Sequence, residues 1–101
     1  MKLEFTSEAR DDLLGIALRI AERSPGRALT YVDEIESHCR RIADFPLAGS
    51  PRPKWGEGIR IVIHGNYIAV YRVRDDAVQI LRIVRDARNL DQLFDEEQLP
   101  E

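Results

Sequence analysis

The sequence predicts an α+β domain in which an antiparallel helical hairpin packs on one side of a small antiparallel sheet. The N-terminal half repeats its apolar residues at the spacing of a helix face, whereas residues 59–85 alternate with a period of two and are rich in β-branched and aromatic side chains. A stretch rich in proline and glycine separates the halves. The predicted order is an N-terminal strand, two helices and a three-stranded meander, with a short C-terminal tail or helix.

Length and composition indicate one domain over residues 1–101. The 101 residues are 44% apolar, which is enough for a single compact core. No run approaches the roughly 20 apolar residues that span a bilayer, and the N-terminus lacks the apolar segment of a signal peptide. Cys39 is the only cysteine, and its place in a helical apolar pattern indicates a core thiol in a reducing compartment. We therefore expect a cytoplasmic protein with no membrane contact.

The N-terminal elements are a strand and two helices. KLEF alternates polar and apolar residues, and from Ser7 the period becomes that of a helix. The break RSPGR contains Ser24, a capping residue, followed by Pro25, which is favoured at the first helical position. This predicts a second helix over about 25–44. The apolar stripes of the two helices are Ala9, Leu13, Ile16, Ala17 and Ile20, then Ala28, Val32, Ile35, Cys39 and Ile42.

A long connection and three strands complete the fold. Residues 45–58 contain three Pro and three Gly, which predicts no regular structure there. Gly65-Asn66 and Asp75-Asp76 are expected to form two-residue hairpin turns, so the strands around them form an antiparallel meander. The three strand patterns occupy residues 59–64, 67–74 and 77–85.

No pattern of a metal, nucleotide or conventional hydrolase site is present in the sequence. His38, Cys39 and His64 lack the spacing of a zinc site. His38 and Cys39, as neighbours on a helix, point about 100° apart and do not form a nucleophile–base pair. There is no phosphate-binding glycine motif, and no serine lies in a nucleophile elbow. We therefore predict no catalytic residue, no metal and no cofactor.

Charge is segregated along the chain. The net charge is -3, yet residues 52–88 hold eight Lys or Arg against four acidic residues, and residues 91–101 hold five acidic residues and no basic one. A basic segment suggests an acidic partner. The acidic tail, about residues 90–101, suits either a partner or the simple solubilisation of the C-terminus.

The basic strands and the segment before them resemble a known family. NYIAVYRV, a two-residue turn and VQILRIVRDARN are similar to the last strands of the RelE/ParE superfamily of bacterial type II toxins. ADFPLAGSPRP resembles the segment in which those toxins have Pro and then Gly before the second strand. The resemblance covers nearly the whole chain.

The chemistry of the last strand favours the ParE-like branch of this superfamily. RelE-like members cleave mRNA on the ribosome, which requires a base, an acid and a cation around the phosphate. No His or Tyr follows Tyr71, and a protonated Arg is a poor base. Recruitment of His64 and Tyr67 would give an mRNA endonuclease, which is the alternative. ParE-like members lack these nuclease residues and have a longer helical hairpin, and this chain resembles them in both respects. Many of them have a His after the RI of the last strand, where this chain has Val84-Arg85.

The resemblance implies a non-enzymatic toxin that inhibits DNA gyrase, is neutralised by a ParD-like antitoxin in a hetero-oligomer, and meets DNA only through that antitoxin. A further alternative is an inactive relative that only binds the antitoxin. The concentration of arginines on the sheet and the apolar residues beside the helix stripes predict an antitoxin contact through Arg60, Arg72, Arg74, Arg82, Leu14, Leu18 and Tyr31. The predicted target contact comprises Trp55, Arg85, Arg88, Leu93 and Phe94.

Strand alternation adds two expectations about side-chain direction. Tyr67 and Tyr71 have the same parity, so they are expected to pack together in the core against the helices. Arg82 is expected on the face of Val78, Ile80 and Val84, opposite Arg85, where it would form an ion pair with an acidic side chain of the partner.

Overall fold

The computed structural model of the protein describes residues 1–85, so the predicted contact residues Arg88, Leu93 and Phe94 and the acidic tail lie outside the described part. The predicted order of strand, two helices and three-stranded meander is confirmed. The elements are β1 (Lys2–Phe5), α1 (Ser7–Ala21), α2 (Pro25–Asp44), β2 (Ser50–Pro51), a 3₁₀ turn (Pro53–Trp55), β3 (Ile59–His64), β4 (Tyr67–Arg74) and β5 (Ala77–Val84).

The strands form one mixed sheet in the order β1-β5-β4-β3-β2. β3, β4 and β5 are antiparallel neighbours. β1 joins β5 in parallel, with Lys2 opposite Ala77, and β2 pairs two residues with β3. The expectation that residues 45–58 lack regular structure is therefore wrong at β2 and at the 3₁₀ turn. Pro51 is accommodated because β2 is an edge strand of the described sheet, where a proline needs no ladder donor on its outer side.

Side chains and turn residues set the ends of the elements, and of the two helix caps the sequence predicts the one at Ser24. The Thr6 hydroxyl accepts a hydrogen bond from the Ala9 N–H at 3.0 Å, and the Ser24 hydroxyl accepts one from the Arg27 N–H at 3.3 Å. Both hairpin turns are confirmed, and each begins with a residue at positive φ, Gly65 at 58° and Asp75 at 54°. Neither described helix is long and apolar enough to cross a membrane.

Apolar side chains pack on both faces of the sheet. The helix-side cluster joins the helix stripes to one face, and it contains both Tyr67 and Tyr71, as expected. The second cluster lies on the opposite face, because its residues alternate with those of the first along β4. Trp55 packs against the second cluster. The buried members of the second cluster are Ile59, Ile61, Ile68, Val70, Leu81 and Val84.

A β-bulge interrupts the alternation of β5. Tyr71 pairs with Ile80 but the preceding Val70 pairs with Arg82, so Leu81 is an extra residue. Val78 and Ile80 consequently belong to the helix-side cluster and Val84 to the second cluster. The expectation that Val78, Ile80 and Val84 share one face with Arg82 is therefore wrong, because a simple period of two cannot anticipate the added residue.

Cys39 is a core residue and is expected to be chemically inert in the folded protein. Its side chain is only 1% exposed, and burial raises the pKa of its thiol to about 12. Because the thiolate is the reactive form, we expect no reaction with a disulfide reagent at about pH 8 in the native protein, and one equivalent after unfolding in guanidinium. Rapid stoichiometric labelling of the native protein, with its circular dichroism unchanged, would contradict this burial.

Candidate functional site

The loop after α2 is held by two side chains from the sheet. The Tyr71 hydroxyl donates to the Pro46 carbonyl at 2.8 Å and accepts from the Gly49 N–H at 3.0 Å. Arg60 Nη1 donates to the carbonyls of Leu47 at 3.0 Å and Gly49 at 2.7 Å. The structure therefore places Arg60, a predicted antitoxin contact, inside an intramolecular network that fixes the conformation of the loop.

Arg82 also has an intramolecular partner. Its Nε and one terminal nitrogen bind the two carboxylate oxygens of Asp12 at 2.8 and 3.0 Å, and Asp12 also accepts the Ile83 N–H at 2.9 Å. The hydrogen bond to Asp12 is the main reason that the pKa of Arg82 is raised. The two side chains are only 22% and 16% exposed. A partner's carboxylate would have to displace Asp12 in order to bind this guanidinium group.

Hydrogen bonds from Thr6 and Asp12 continue the pairing along the edge of β5 beyond the end of β1. The Thr6 N–H donates to the Ile80 carbonyl at 3.0 Å, and its hydroxyl donates to the Leu81 carbonyl at 2.8 Å. Asp12 then takes the next free N–H, that of Ile83. The start of α1 therefore replaces strand pairing with side-chain hydrogen bonds, which satisfies backbone groups that would otherwise lack partners.

Arg72 and Arg74 form an open basic surface on the face of the second cluster. They have the same parity on β4 as Ile68 and Val70, and together with Glu57 and Gly58 they line a groove of about 390 Å³. Arg74 is exposed and Arg72 is half-buried. Neither has an ion-pair partner among residues 1–85. These two guanidinium groups are therefore available to an acidic partner on the described surface.

The predicted aromatic and terminal contacts lie around this basic surface. Trp55 is half-buried against the second cluster, and the Arg52 guanidinium carbon lies 5.5 Å from the centroid of its ring. Arg85 is exposed immediately after β5 ends. Trp55 thus has a packing role at the edge of the core, whatever else it contacts.

Two leucines of α1 lie away from the core. Leu14 is 59% and Leu18 60% exposed, and they are one helical turn apart. The helices pack on the helix-side face, so these leucines lie on the side of the protein opposite the basic surface of Arg72 and Arg74. A partner that contacts both surfaces must extend around an edge of the sheet.

Tyr31 belongs to a cluster of aromatic rings and histidines between α2 and the β3–β4 hairpin. Its ring centroid lies 5.5 Å from that of Tyr67 and 6.1 Å from that of His64, and the Arg27 guanidinium carbon lies 4.9 Å from it. His38 and His64 are in contact, with their Nδ1 atoms 3.1 Å apart. Burial and the neighbouring His64 lower the pKa of His38.

Two features of this cluster bear on whether it could transfer protons to or from RNA. Tyr67 is only 8% exposed, so its ring is part of the core rather than a proton donor at the surface. His64 contacts His38 directly, so its Nδ1 atom already has a hydrogen-bond partner within the protein. An acid and a base that act on one phosphate must each reach a different oxygen atom.

The contact between the histidines was not anticipated from the sequence. Its two residues are 26 positions apart, on a helix and on a strand that belongs to a separate hairpin. Motifs defined by a fixed spacing in the sequence identify ligands or catalytic pairs within one element, so they do not identify this pair. The only signal in the sequence is that each histidine is close to an apolar stripe of its own element.

Comparisons with known proteins agree with the fold and identify the family. Residues 3–90 match the family described as "ParE toxin of type II toxin-antitoxin system, parDE". A solved chain of the chromosomal ParDE toxin–antitoxin system from P. aeruginosa is 29% identical, with a TM-score of 0.73, and the match covers 85% of this chain and 96% of that one.

A second similar structure comes from the toxin–antitoxin complex RelBE2 of Mycobacterium tuberculosis. It is 25% identical, with a TM-score of 0.64 over 83% of this chain and 95% of that one. No curated protein sequence matches. The family match spans most of the chain and agrees with the order of strands and helices described above. The chain therefore belongs to the ParE toxin family of type II toxin–antitoxin systems.

Proposed function

We propose that this toxin acts in the cytoplasm by binding and inhibiting DNA gyrase, that it is not an enzyme, and that a ParD-like antitoxin neutralises it. The main support for a toxin that is not an enzyme is the burial of Tyr67 together with the direct contact between His64 and His38. Those residues are the proton-transfer groups that an mRNA endonuclease would have to recruit from this sheet. Without them, its arginines supply charge but no base.

The choice between gyrase inhibition and RNA cleavage is tested with the purified toxin in two assays. We expect it to inhibit the supercoiling activity of gyrase and to leave ribosome-bound mRNA intact. As a control, toxin mixed with its antitoxin should restore supercoiling. Cleavage of mRNA with unchanged supercoiling would establish the endonuclease alternative, and failure in both assays and in growth arrest would establish the inactive relative.

The antitoxin is proposed as a partner because both similar structures come from toxin–antitoxin systems and because two suitable surfaces are open. Leu14 and Leu18 offer apolar area on α1, and Arg72 and Arg74 offer positive charge across the sheet. These surfaces lie on opposite sides of the protein, so the proposed partner is an extended acidic segment that wraps around an edge and orders on binding.

Reversing the charge of the open basic surface is expected to weaken antitoxin binding. For the double variant Arg72→Glu and Arg74→Glu we expect an affinity at least about tenfold lower near physiological salt, with a smaller difference at high salt because the charges are then screened. The matched control is Arg23→Glu, an exposed arginine after α1. Titration calorimetry at two salt concentrations measures the effect. An unchanged affinity in the double variant would remove these arginines from the interface.

Arg60 and Arg82 are less suitable for such a test. Both hold parts of the fold together through the contacts described above. A loss of binding in Arg82→Glu would therefore mix lost stability with lost contact. The proposed antitoxin contact of Arg60, Arg82 and Tyr31 is best tested by hydrogen exchange of the complex, which requires no substitution.

A further inference from the structure

The contact between His38 and His64 has the geometry of a pair of metal ligands. Their Nδ1 atoms are 3.1 Å apart and their ring centroids 4.8 Å apart. If both nitrogens lie about 2.1 Å from one ion, as in zinc sites, the 3.1 Å separation corresponds to a nitrogen–ion–nitrogen angle of about 95°. This value is near the 90° of cis positions in octahedral and tetragonal coordination.

The separation of the ring centroids is compatible with this geometry. The centroid of an imidazole ring lies about 1.15 Å from its Nδ1 atom. If both rings pointed directly at the ion, their centroids would be about 4.8 Å apart. The observed separation of the centroids is 4.8 Å. Rings that face each other head-on with the same 3.1 Å separation would have centroids about 5.4 Å apart. At least one ring is therefore tilted away from the line that joins the nitrogens, a tilt that two ligands of one ion also need.

The fold holds both imidazoles in place. His38 lies in the middle of α2 next to the buried Cys39, and His64 pairs with Tyr67 at the end of the β3–β4 ladder. The ring of Tyr31 flanks His64. Neither side chain has to reach across open solvent, so little conformational freedom is lost on binding an ion.

Water and ions can reach the pair. Both histidines line an open cavity of about 330 Å³, whose wall also contains the carboxylates of Asp33 and Glu34 and the cation of Arg41; Glu34 is paired with Arg27 at 3.0 Å. Among residues 1–85 no group of three or more His, Cys, Asp or Glu is arranged to hold a metal. The site thus has two protein ligands, and the cavity has room for water at the remaining positions.

We propose that His38 and His64 bind one divalent transition-metal ion of the Ni²⁺, Cu²⁺ or Zn²⁺ class through their Nδ1 atoms, with water as the other ligands. Neutral imidazole suits these ions. For both Nδ1 lone pairs to bind the ion, a proton carried by either Nδ1 atom has to move to the Nε2 atom of the same ring. This proposal differs from the expectation, drawn from the sequence, that the protein has no metal site.

The test uses the untagged full-length toxin and Ni²⁺. We expect one equivalent to bind in titration calorimetry, and the melting temperature to rise by about 5 °C or more when free Ni²⁺ is about tenfold above its Kd. His38→Gln and His64→Gln should each weaken binding at least about tenfold. Ser37→Ala, a change at the wall of the same cavity, is the matched control and should bind like the parent.

A second measurement avoids substitutions altogether. In the unmodified protein, Ni²⁺ should broaden the NMR signals of Tyr31, His38, His64 and Tyr67 before others. Broadening centred elsewhere, such as at the terminal amine, would overturn the proposal, as would binding that both histidine variants retain. Since the sequence contains only these two histidines, no other imidazole can account for a positive result.

Discussion

Gly49→Ala is expected to destabilise the protein by about 3–5 kcal/mol, a large part of the stability of a domain of this size. A Cβ atom at this position would lie 2.8 Å from Cε1 of Tyr71 and 2.9 Å from the carbonyl oxygen of Ile61. Tyr71 is fully buried and Ile61 belongs to the sheet, so neither can move at low cost. Any shift that relieved the overlap would also break the hydrogen bond from the Gly49 N–H to Tyr71.

This effect is steric, because Gly49 is not among the glycines with positive φ. Gly15→Ala is the matched control: a Cβ there meets nothing within 4 Å, and alanine in a helix interior should add about 0.5–1 kcal/mol of stability. Urea unfolding of both variants measures the difference. If Gly49→Ala unfolded within about 1 kcal/mol of the parent, the close packing between the loop and Tyr71 would be refuted.

Asp12→Ala is expected to be the second most damaging single change, costing about 2–4 kcal/mol. It removes three hydrogen bonds at once, two from Arg82 and one from the Ile83 N–H. It leaves a mostly buried guanidinium group without its carboxylate, which costs more than the pair itself contributes. Replacement of both partners, Asp12→Ala with Arg82→Met, should recover part of the loss because no unpaired charge remains.

Glu36→Ala provides the matched control for the loss of an ion pair. Glu36 pairs with Arg40 at 3.6 Å on the surface of α2, and both side chains are well exposed. Pairs of this kind contribute about 0.5 kcal/mol or less. Guanidinium unfolding of these three variants and the parent protein gives the required comparison. Equal losses for Asp12→Ala and Glu36→Ala would mean that Asp12 does not fix the edge of β5.

The sequence predicts most elements because their signals are local. The start of α2 follows from Ser24 and Pro25, and the two hairpins follow from residues that accept positive φ. The errors arise where a contact depends on distant parts of the chain. The bulge at Leu81 depends on the register between β4 and β5, and the short β2 depends on β3 as a partner.

The candidate site is less predictable for the same reason. The sequence alone does not show that Arg60 and Arg82 have partners within the protein. In the structure, Arg60 binds carbonyls of the loop and Arg82 binds a carboxylate on α1. Only tertiary structure distinguishes them from Arg72 and Arg74. The pairing of His38 with His64 is equally invisible to any spacing rule.

The parallel pairing of β1 with β5 has a consequence for how the toxin is made. The Thr6 hydroxyl donates a hydrogen bond to a carbonyl of β5 that is 75 residues away in sequence. β1 therefore cannot pair with the sheet until β5 is present. Chains are synthesised from the N-terminus, and contacts this distant form late and slowly. A ribosome that stalls before Ala77 therefore leaves a pair of helices with uncovered apolar stripes and no completed sheet. We therefore expect the complete sheet to form only after β5 has been synthesised.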